Sequence, residues 1–352
     1  EDRPDPAVVS GVVLPAAERG AVWVFSGHGS HWAGMGRELL AHEPVFAEVI
    51  DTIDPVFGAE LGFSARTALG TGELGGTDRV QALTFAVQVG LAAVLRARGV
   101  RPAAVIGHSV GEVAACVTAG VFDLEVGAAV ACYRARGFRQ VMGQGAMALV
   151  RLPFAEAEAR LAGRRDVVAA ISASPVSTVV SGDAAAVEQV CRSWTAEGVM
   201  VRRVNTDVAF HSPAMDRLTA ELGRLTAALP VRDAQIPLYT TALTDPRSKA
   251  PRNQGYWVAN LRERVRFAEA VTAAAEDGHR LFLEVSAHPV VAHSIVETLT
   301  HLGVGEHAVI PVLRREKPER QAVALAVGAL YCTGAPVEPG YDRRSAWAPL
   351  PA

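Results

Sequence analysis

The sequence predicts an α/β fold made of one large domain with a smaller lobe inserted into it. Three observations carry this. A short apolar run enters Gly107-His108-Ser109-Val110-Gly111 and is followed at once by an Ala-rich helical stretch, so strand, sharp turn and helix succeed one another. Between residues 146 and 206 the pattern reads strand, helix, strand, strand, helix, strand. The 352 residues also exceed one average domain of about 150, which leaves room for a large domain carrying an insertion.

Taken in order, residues 21–26 (AVWVFS) form an apolar strand that runs into the flexible loop Gly27-His28-Gly29-Ser30. Over 79–98, Val80, Leu83, Val87, Leu91 and Val94 recur at helical spacing, and Gly99 is a suitable C-cap. Residues 103–106 form the strand before GHSVGE, and 113–119 the helix after it, closed by Gly120. In the inserted stretch, 146–152, 166–174, 177–182 and 199–206 read as strands, with helices at 153–162, where Pro153 suits a first turn, and 183–198. That βαββαβ order is the split-βαβ, ferredoxin-like arrangement, which places both helices on one face of a sheet. Residues 235–243 and 280–285 read as strands, 268–275 as a helix and 309–313 as the last buried strand. Beyond Arg314 the chain is Arg/Glu/Pro-rich, forms one amphipathic helix near 321–332, and continues as linker through Pro336, Pro339, Pro349 and Pro351.

Composition narrows the function. Thirty-four Lys and Arg against 37 Asp and Glu give a formal charge of −3, with no basic stripe for a phosphate backbone, so no nucleic-acid partner is expected. The longest uninterrupted apolar run, 322–332, is about eleven residues against the roughly 20 that cross a bilayer, so no membrane span is expected. The four cysteines, at 116, 132, 191 and 332, have no metal-ligand spacing and read as reduced thiols of a cytoplasmic protein. The chain starts at Glu1 without a leader pattern and reads as a piece of something longer.

Gly107 to Gly111 matches G-x-S-x-G in the strand-to-helix context that makes Ser109 a nucleophile and the larger part α/β-hydrolase-like. Serine at its free pKa needs a base within hydrogen-bond reach. His211, where the inserted lobe returns, and His288, after a strand, both qualify by position, and spacing alone does not choose between them. His42, His279, His301 and His307 read as surface or satisfied loop residues. The backbone N–H of Val110 and one from the Gly27-His28-Gly29 loop are the candidate oxyanion donors, and that loop lacks the completion of a phosphate-binding turn. Arg134 and Arg136 lie in the helix after Leu124, where residue-type preference alone favours exposure.

Together, FSGHGSHWAGMG (25–36), GHSVGE (107–112), YRARG (133–137), AFHSPAMD (209–216), YWVANLRERVRF (256–267) and FLEVSAHPV (282–290) resemble the acyltransferase domain of type I polyketide synthases, and are similar to stand-alone malonyl-CoA:acyl-carrier-protein transacylases. The resemblance covers about residues 21–313. It implies a large subdomain at 21–145 and 207–313, a small ferredoxin-like subdomain at 146–206, the end of a ketosynthase-to-acyltransferase linker at 1–20 and a post-acyltransferase linker at 314–352.

It further implies that Ser109 attacks an acyl-CoA thioester and that His211 takes its proton, the imidazole being oriented by a backbone carbonyl near the FLEVSAHP segment. The malonyl group then passes to the phosphopantetheine thiol of an acyl carrier protein, with no permanently bound cofactor and no metal. His28 and Val110 would supply the oxyanion N–H groups, Arg134 would grip the free carboxylate of malonyl-CoA, and Gln81 takes the place of a site-lining glutamine, with Ala82 for the usual Pro. Phe210 before the histidine and Val110 in the elbow imply malonyl over methylmalonyl.

The chain departs from the family at Val208 for the usual His, at His28 for the usual Gln, and at 171–175, which lack an Asn often found there. If only the backbone of residue 28 acts, its side chain should matter little. His28 is similar to the residue found in iterative synthases of small aromatic acids. The competing readings are a thioesterase or hydrolase using Ser109, His288 and Asp245, an acyltransferase selecting another acyl-CoA such as methylmalonyl-CoA or a starter unit, and a non-catalytic scaffold with a vestigial elbow.

Overall fold

The computed structural model describes residues 9–337. Residues 1–8 and the expected tail through Pro339, Pro349 and Pro351 lie outside them. Among the described residues ten strands fall in chain order as β1 (Ala21–Phe25), β2 (Pro102–Gly107), β3 (Gly145–Val150), β4 (Val167–Ser174), β5 (Ser177–Asp183), β6 (Val201–Val204), β7 (Leu238–Tyr239), β8 (Val265–Arg266), β9 (Leu281–Glu284) and β10 (Ala308–Pro311). They form two five-stranded sheets in an α/β fold.

The first sheet has the order β10-β9-β1-β2-β7, and each pair in it is parallel. Parallel strands covered on both faces need continuous apolar runs, and Val22, Trp23, Val24 and Phe25 of central β1 are all fully buried. The helix Thr77–Ala97 is buried on nearly every side, and Pro44–Leu61 and Leu124–Phe138 pack against it. By length and composition alone it is the one helix among the described residues apolar enough to cross a membrane, yet 83% of its apolar window is inside the fold. Gln81, Thr84 and Gln88 interrupt its apolar sequence, so it holds no uninterrupted run as long as 322–332.

The second sheet has the order β6-β3-β5-β4-β8. Its first four strands pair antiparallel, whereas β8 joins the edge parallel to β4. Ala148, Val150, Val180, Val187, Val190 and Trp194 form a core of their own beneath the helices Phe154–Arg160 and Ala184–Ala196. Between the two sheets, residues 205–211 carry the chain back to the larger part.

Several expectations change in detail. The strand expected over 235–243 shrinks to Leu238–Tyr239, since Pro237 has no N–H to donate and only β2 pairs with this edge. The helix expected near 321–332 begins at Glu319, whose carboxylate accepts the N–H groups of Gly36, Glu38 and Leu39 and so fastens the helix to the body. Pro44–Leu61, Asp216–Thr226, Gln254–Arg262 and Ala292–His301 are helices beyond those expected from the sequence.

Candidate active site

The chain from β2 into the helix Gly111–Thr118 explains the two elbow glycines. A Cβ on Gly107 would lie 2.2 Å from Glu112 Cα, and one on Gly111 would lie 2.1 Å from the carbonyl oxygen of Phe25. Between them Ser109 is held at φ 56°, in the left-handed region that non-glycine residues seldom occupy, so its side chain stands off the turn at a helix N-terminus. His211 is held at φ 56° as well, directly after the return from the smaller sheet.

These two strained residues meet. Ser109 Oγ lies 2.7 Å from His211 Nε2, and both side chains are buried. His211 Nδ1 is 2.9 Å from the carbonyl oxygen of Glu263. A carbonyl only accepts, so Nδ1 carries the hydrogen and Nε2 is left as the acceptor for the serine hydroxyl. Burial, reinforced by the Arg134 guanidinium, pushes the His211 pKa down to about 3, so the ring is a neutral base at physiological pH. The orienting carbonyl belongs to the segment after Gln254–Arg262, not to FLEVSAHP, because β8 and that helix bring residue 263 against the histidine.

His288 also lines the cleft, but its Nδ1 accepts the amide N–H of Arg315 at 3.1 Å. Asp245 is exposed and accepts the N–H of Arg247. The hydrolase triad considered from the sequence is therefore not assembled.

Arg134 is 2% exposed, which corrects the expectation from residue type alone. Its Nη1 donates to Asn260 Oδ1 and its Nη2 lies 3.4 Å from Ser109 Oγ. Nε has no partner, and among the described residues no carboxylate is in ion-pair contact with this guanidinium, although the Glu112 carboxylate acts on it from further away. Desolvation pulls its pKa to about 10, so it stays charged at neutral pH. Asn260 also donates from Nδ2 to the Ser109 carbonyl at 3.3 Å.

Beneath the elbow, the buried carboxylate of Glu112 takes hydrogen bonds from the N–H and hydroxyl of Thr241 and from the Tyr256 hydroxyl. Burial raises its pKa above the usual carboxylate range. The elbow helix is thereby tied to the helix that carries Asn260.

A cleft of about 660 Å³ between the two sheets opens onto Ser109 and His211 and is also lined by His28, Gln81, Phe210 and His288, among others. Gln81 and Phe210 both face this cleft. The amide N–H groups of His28 and Val110 have no acceptor among the described residues. A second cavity of about 610 Å³ lies against β7, away from the nucleophile. The sequence reading did not identify Asn260, Glu263 or Glu112 as site residues. For Asn260 and Glu112 the signal was their place inside YWVANLRERVRF and GHSVGE.

The family model described as "Acyl transferase domain" matches residues 22–337. The chain belongs to this family. As an acyltransferase domain of the polyketide-synthase kind, it is 34% identical to the acyltransferase domain from module 8 of the salinomycin polyketide synthase, with a TM-score of 0.87 over 93% of this chain and 78% of that one. It is 37% identical to the acyltransferase domain of the polyketide synthase PpsC of Mycobacterium tuberculosis, with a TM-score of 0.79 over 87% of this chain and 95% of that one. Among curated relatives it is 54% identical, over 92% of its length, to 5-methyl-1-naphthoate synthase of Streptomyces sahachiroi, and 47% identical, over 93%, to 6-methylsalicylic acid synthase of Penicillium expansum. The acyltransferase spans 18% of the length of each of those two relatives.

Proposed function

We propose that this acyltransferase moves a malonyl unit from CoA to the phosphopantetheine thiol of an acyl carrier protein through an ester on Ser109. In the first half-reaction Ser109 Oγ attacks the thioester carbonyl as His211 Nε2 takes the hydroxyl proton. The tetrahedral oxyanion is met by the N–H groups of His28 and Val110. The C–S bond then breaks, and the proton on His211 leaves with the CoA thiol. In the second half-reaction His211 takes the proton of the incoming thiol, whose sulfur attacks the ester, and returns that proton to Ser109 as the ester opens. Through both halves the Glu263 carbonyl keeps the ring in one tautomer.

One observation carries the choice of malonyl: a buried, charged guanidinium that no carboxylate among the described residues contacts as an ion pair lies beside the nucleophile, and such a group is costly unless a ligand supplies the anion. Phe210 between Phe138 and the cleft supports an unsubstituted malonyl, because an α-methyl needs space there.

The finer architecture belongs to the same proposal. The strand order and antiparallel pairing of β6-β3-β5-β4 support a ferredoxin-like lobe at 146–206, and the elbow on a parallel sheet supports a hydrolase-like part at 21–145 and 207–313. Residues 1–20 and 314–352 are read as flanking linkers to the ketosynthase and other domains of a cytoplasmic synthase. The names of the relatives support a small aromatic acid as the product class of that parent chain.

Intact-protein mass measurement after exposure to malonyl-CoA tests this. A malonyl adduct on Ser109, discharged faster by holo carrier protein than by water, is the expected result. Rapid release to water without carrier protein would instead indicate a hydrolase.

A further inference from the structure

The His28 side chain has more to do than the backbone role implied by resemblance. Its Nε2 lies 3.0 Å from the carbonyl oxygen of Asn205, just past β6, and its Nδ1 lies 3.2 Å from Gln81 Nε2 on the helix Thr77–Ala97. The carbonyl requires a hydrogen on Nε2, which leaves Nδ1 to accept from the Gln81 amide, so one neutral tautomer satisfies both contacts. Burial lowers the ring's pKa and favours that neutral form. Fixing the amide this way leaves Gln81 Oε1 without a protein partner. The ring also sits 5.6 Å from the ring of Phe210, which rests edge-on against Phe138 at 4.9 Å.

We propose that the His28 imidazole is a positioning residue that sets extender-unit discrimination: it braces Phe210 against Phe138 while pinning the return from the small sheet to the core helix. The inference rests on the malonyl reading and deepens it. One ring joins the loop that carries a proposed oxyanion donor, the helix bearing Gln81, the exit of β6 and the aromatic wall beside His211. Asp207 adds ties at the same return, accepting from Thr77 Oγ1 at 2.6 Å and from the Gly143 N–H at 3.0 Å. The lobes therefore stay joined when the imidazole is removed, while Phe210 loses its support on the cleft side. A glutamine at position 28, the usual family residue, can donate to the Asn205 carbonyl but offers Phe210 no aromatic face.

The test compares kcat/KM for malonyl-CoA and methylmalonyl-CoA in wild type, His28→Ala, His28→Gln, Phe210→Ala and the His28→Ala/Phe210→Ala double variant. A ratio of two substrates on one preparation is independent of the folded fraction, so a merely structural role leaves it unmoved. Wild type should prefer malonyl. His28→Ala should lower that preference about tenfold, within the range one methyl group is worth in an apolar pocket. His28→Gln should lower it in the same direction, and His28→Ala should add nothing once Phe210 is gone. If His28→Ala does not fold, His28→Gln carries the comparison. An unchanged ratio in the His28 variants, or full additivity with Phe210→Ala, would overturn the inference and leave the malonyl reading standing. A wild type without malonyl preference would overturn both.

Discussion

Replacing Arg134 with Ala removes the guanidinium that lies 3.4 Å from Ser109 Oγ and keeps both members of the Ser–His pair. With Nη1 held by Asn260, Nε and Nη2 remain to meet a carboxylate. Hydrogen bonds to charged groups contribute about 1.5–3 kcal/mol each, so two of them stabilise the bound malonyl group by about 3–6 kcal/mol. At about 1.4 kcal/mol per tenfold, malonyl kcat/KM should fall by roughly a hundredfold to ten-thousandfold. Acetyl-CoA has no carboxylate and in the wild type must leave a desolvated cation unpaired, so Arg134→Ala should load acetyl better than the wild type does. The assay is single-turnover loading followed by intact mass, with thermal unfolding as a control because Asn260 Oδ1 loses its partner. An unchanged malonyl-to-acetyl ratio in a folded variant refutes the carboxylate role.

The remaining expectations concern the pair and its supports. His211→Ala should abolish loading and His288→Ala should leave most of it; the reverse result, measured by adduct mass, would contradict the 2.7 Å contact with Ser109 as the productive one. Because the His211 ring stays neutral until about pH 3, the loading rate should be level from pH 8 down to pH 5, where a free imidazole would already be mostly protonated; an acid limb near pH 6.5 would contradict this. The same shift acts on stability, since the unfolded histidine binds a proton near pH 6.5 and the folded one does not. Its contribution is full above pH 6.5 and lost as pH falls from there toward 3, so the thermal midpoint should drop across that window. Glu112→Ala strands the buried Thr241 N–H and takes one of two partners from the Tyr256 hydroxyl, which keeps Thr240, and should cost about 1–3 kcal/mol, seen as a fall of a few degrees in Tm; an unchanged Tm would show that the network is not structural.

Much of the fold was legible because local rules and tertiary needs agree at particular residues. Gly107 and Gly111 are demanded by backbone passing within about 2 Å of where a side chain would begin, so the elbow could be read from the motif and its flanks. The alternation of strands and helices from β3 to β6 was likewise local. The helix Pro44–Leu61 left a signal in Phe46, Ile50, Ile53, Phe57 and Leu61, all buried at helical spacing, but Pro55 in its interior obscured it. Strand β8 has two residues and exists only because β4 offers an edge, so no periodicity announces it. The same holds at the site. Ser109 is a motif residue, whereas the group that orients His211 is a backbone carbonyl with no side-chain signature, and the burial of Arg134 is a property of the packed helix rather than of its neighbours in sequence.

The central claim is that one carboxylate-bearing acyl group fits between the nucleophile, the base and the guanidinium. Exposing the protein to equal concentrations of malonyl-, methylmalonyl- and acetyl-CoA, then weighing the loaded protein and mapping the adduct, tests it most directly. Malonyl on Ser109 should dominate. A majority of acetyl or methylmalonyl, or an adduct on another residue, would contradict the account.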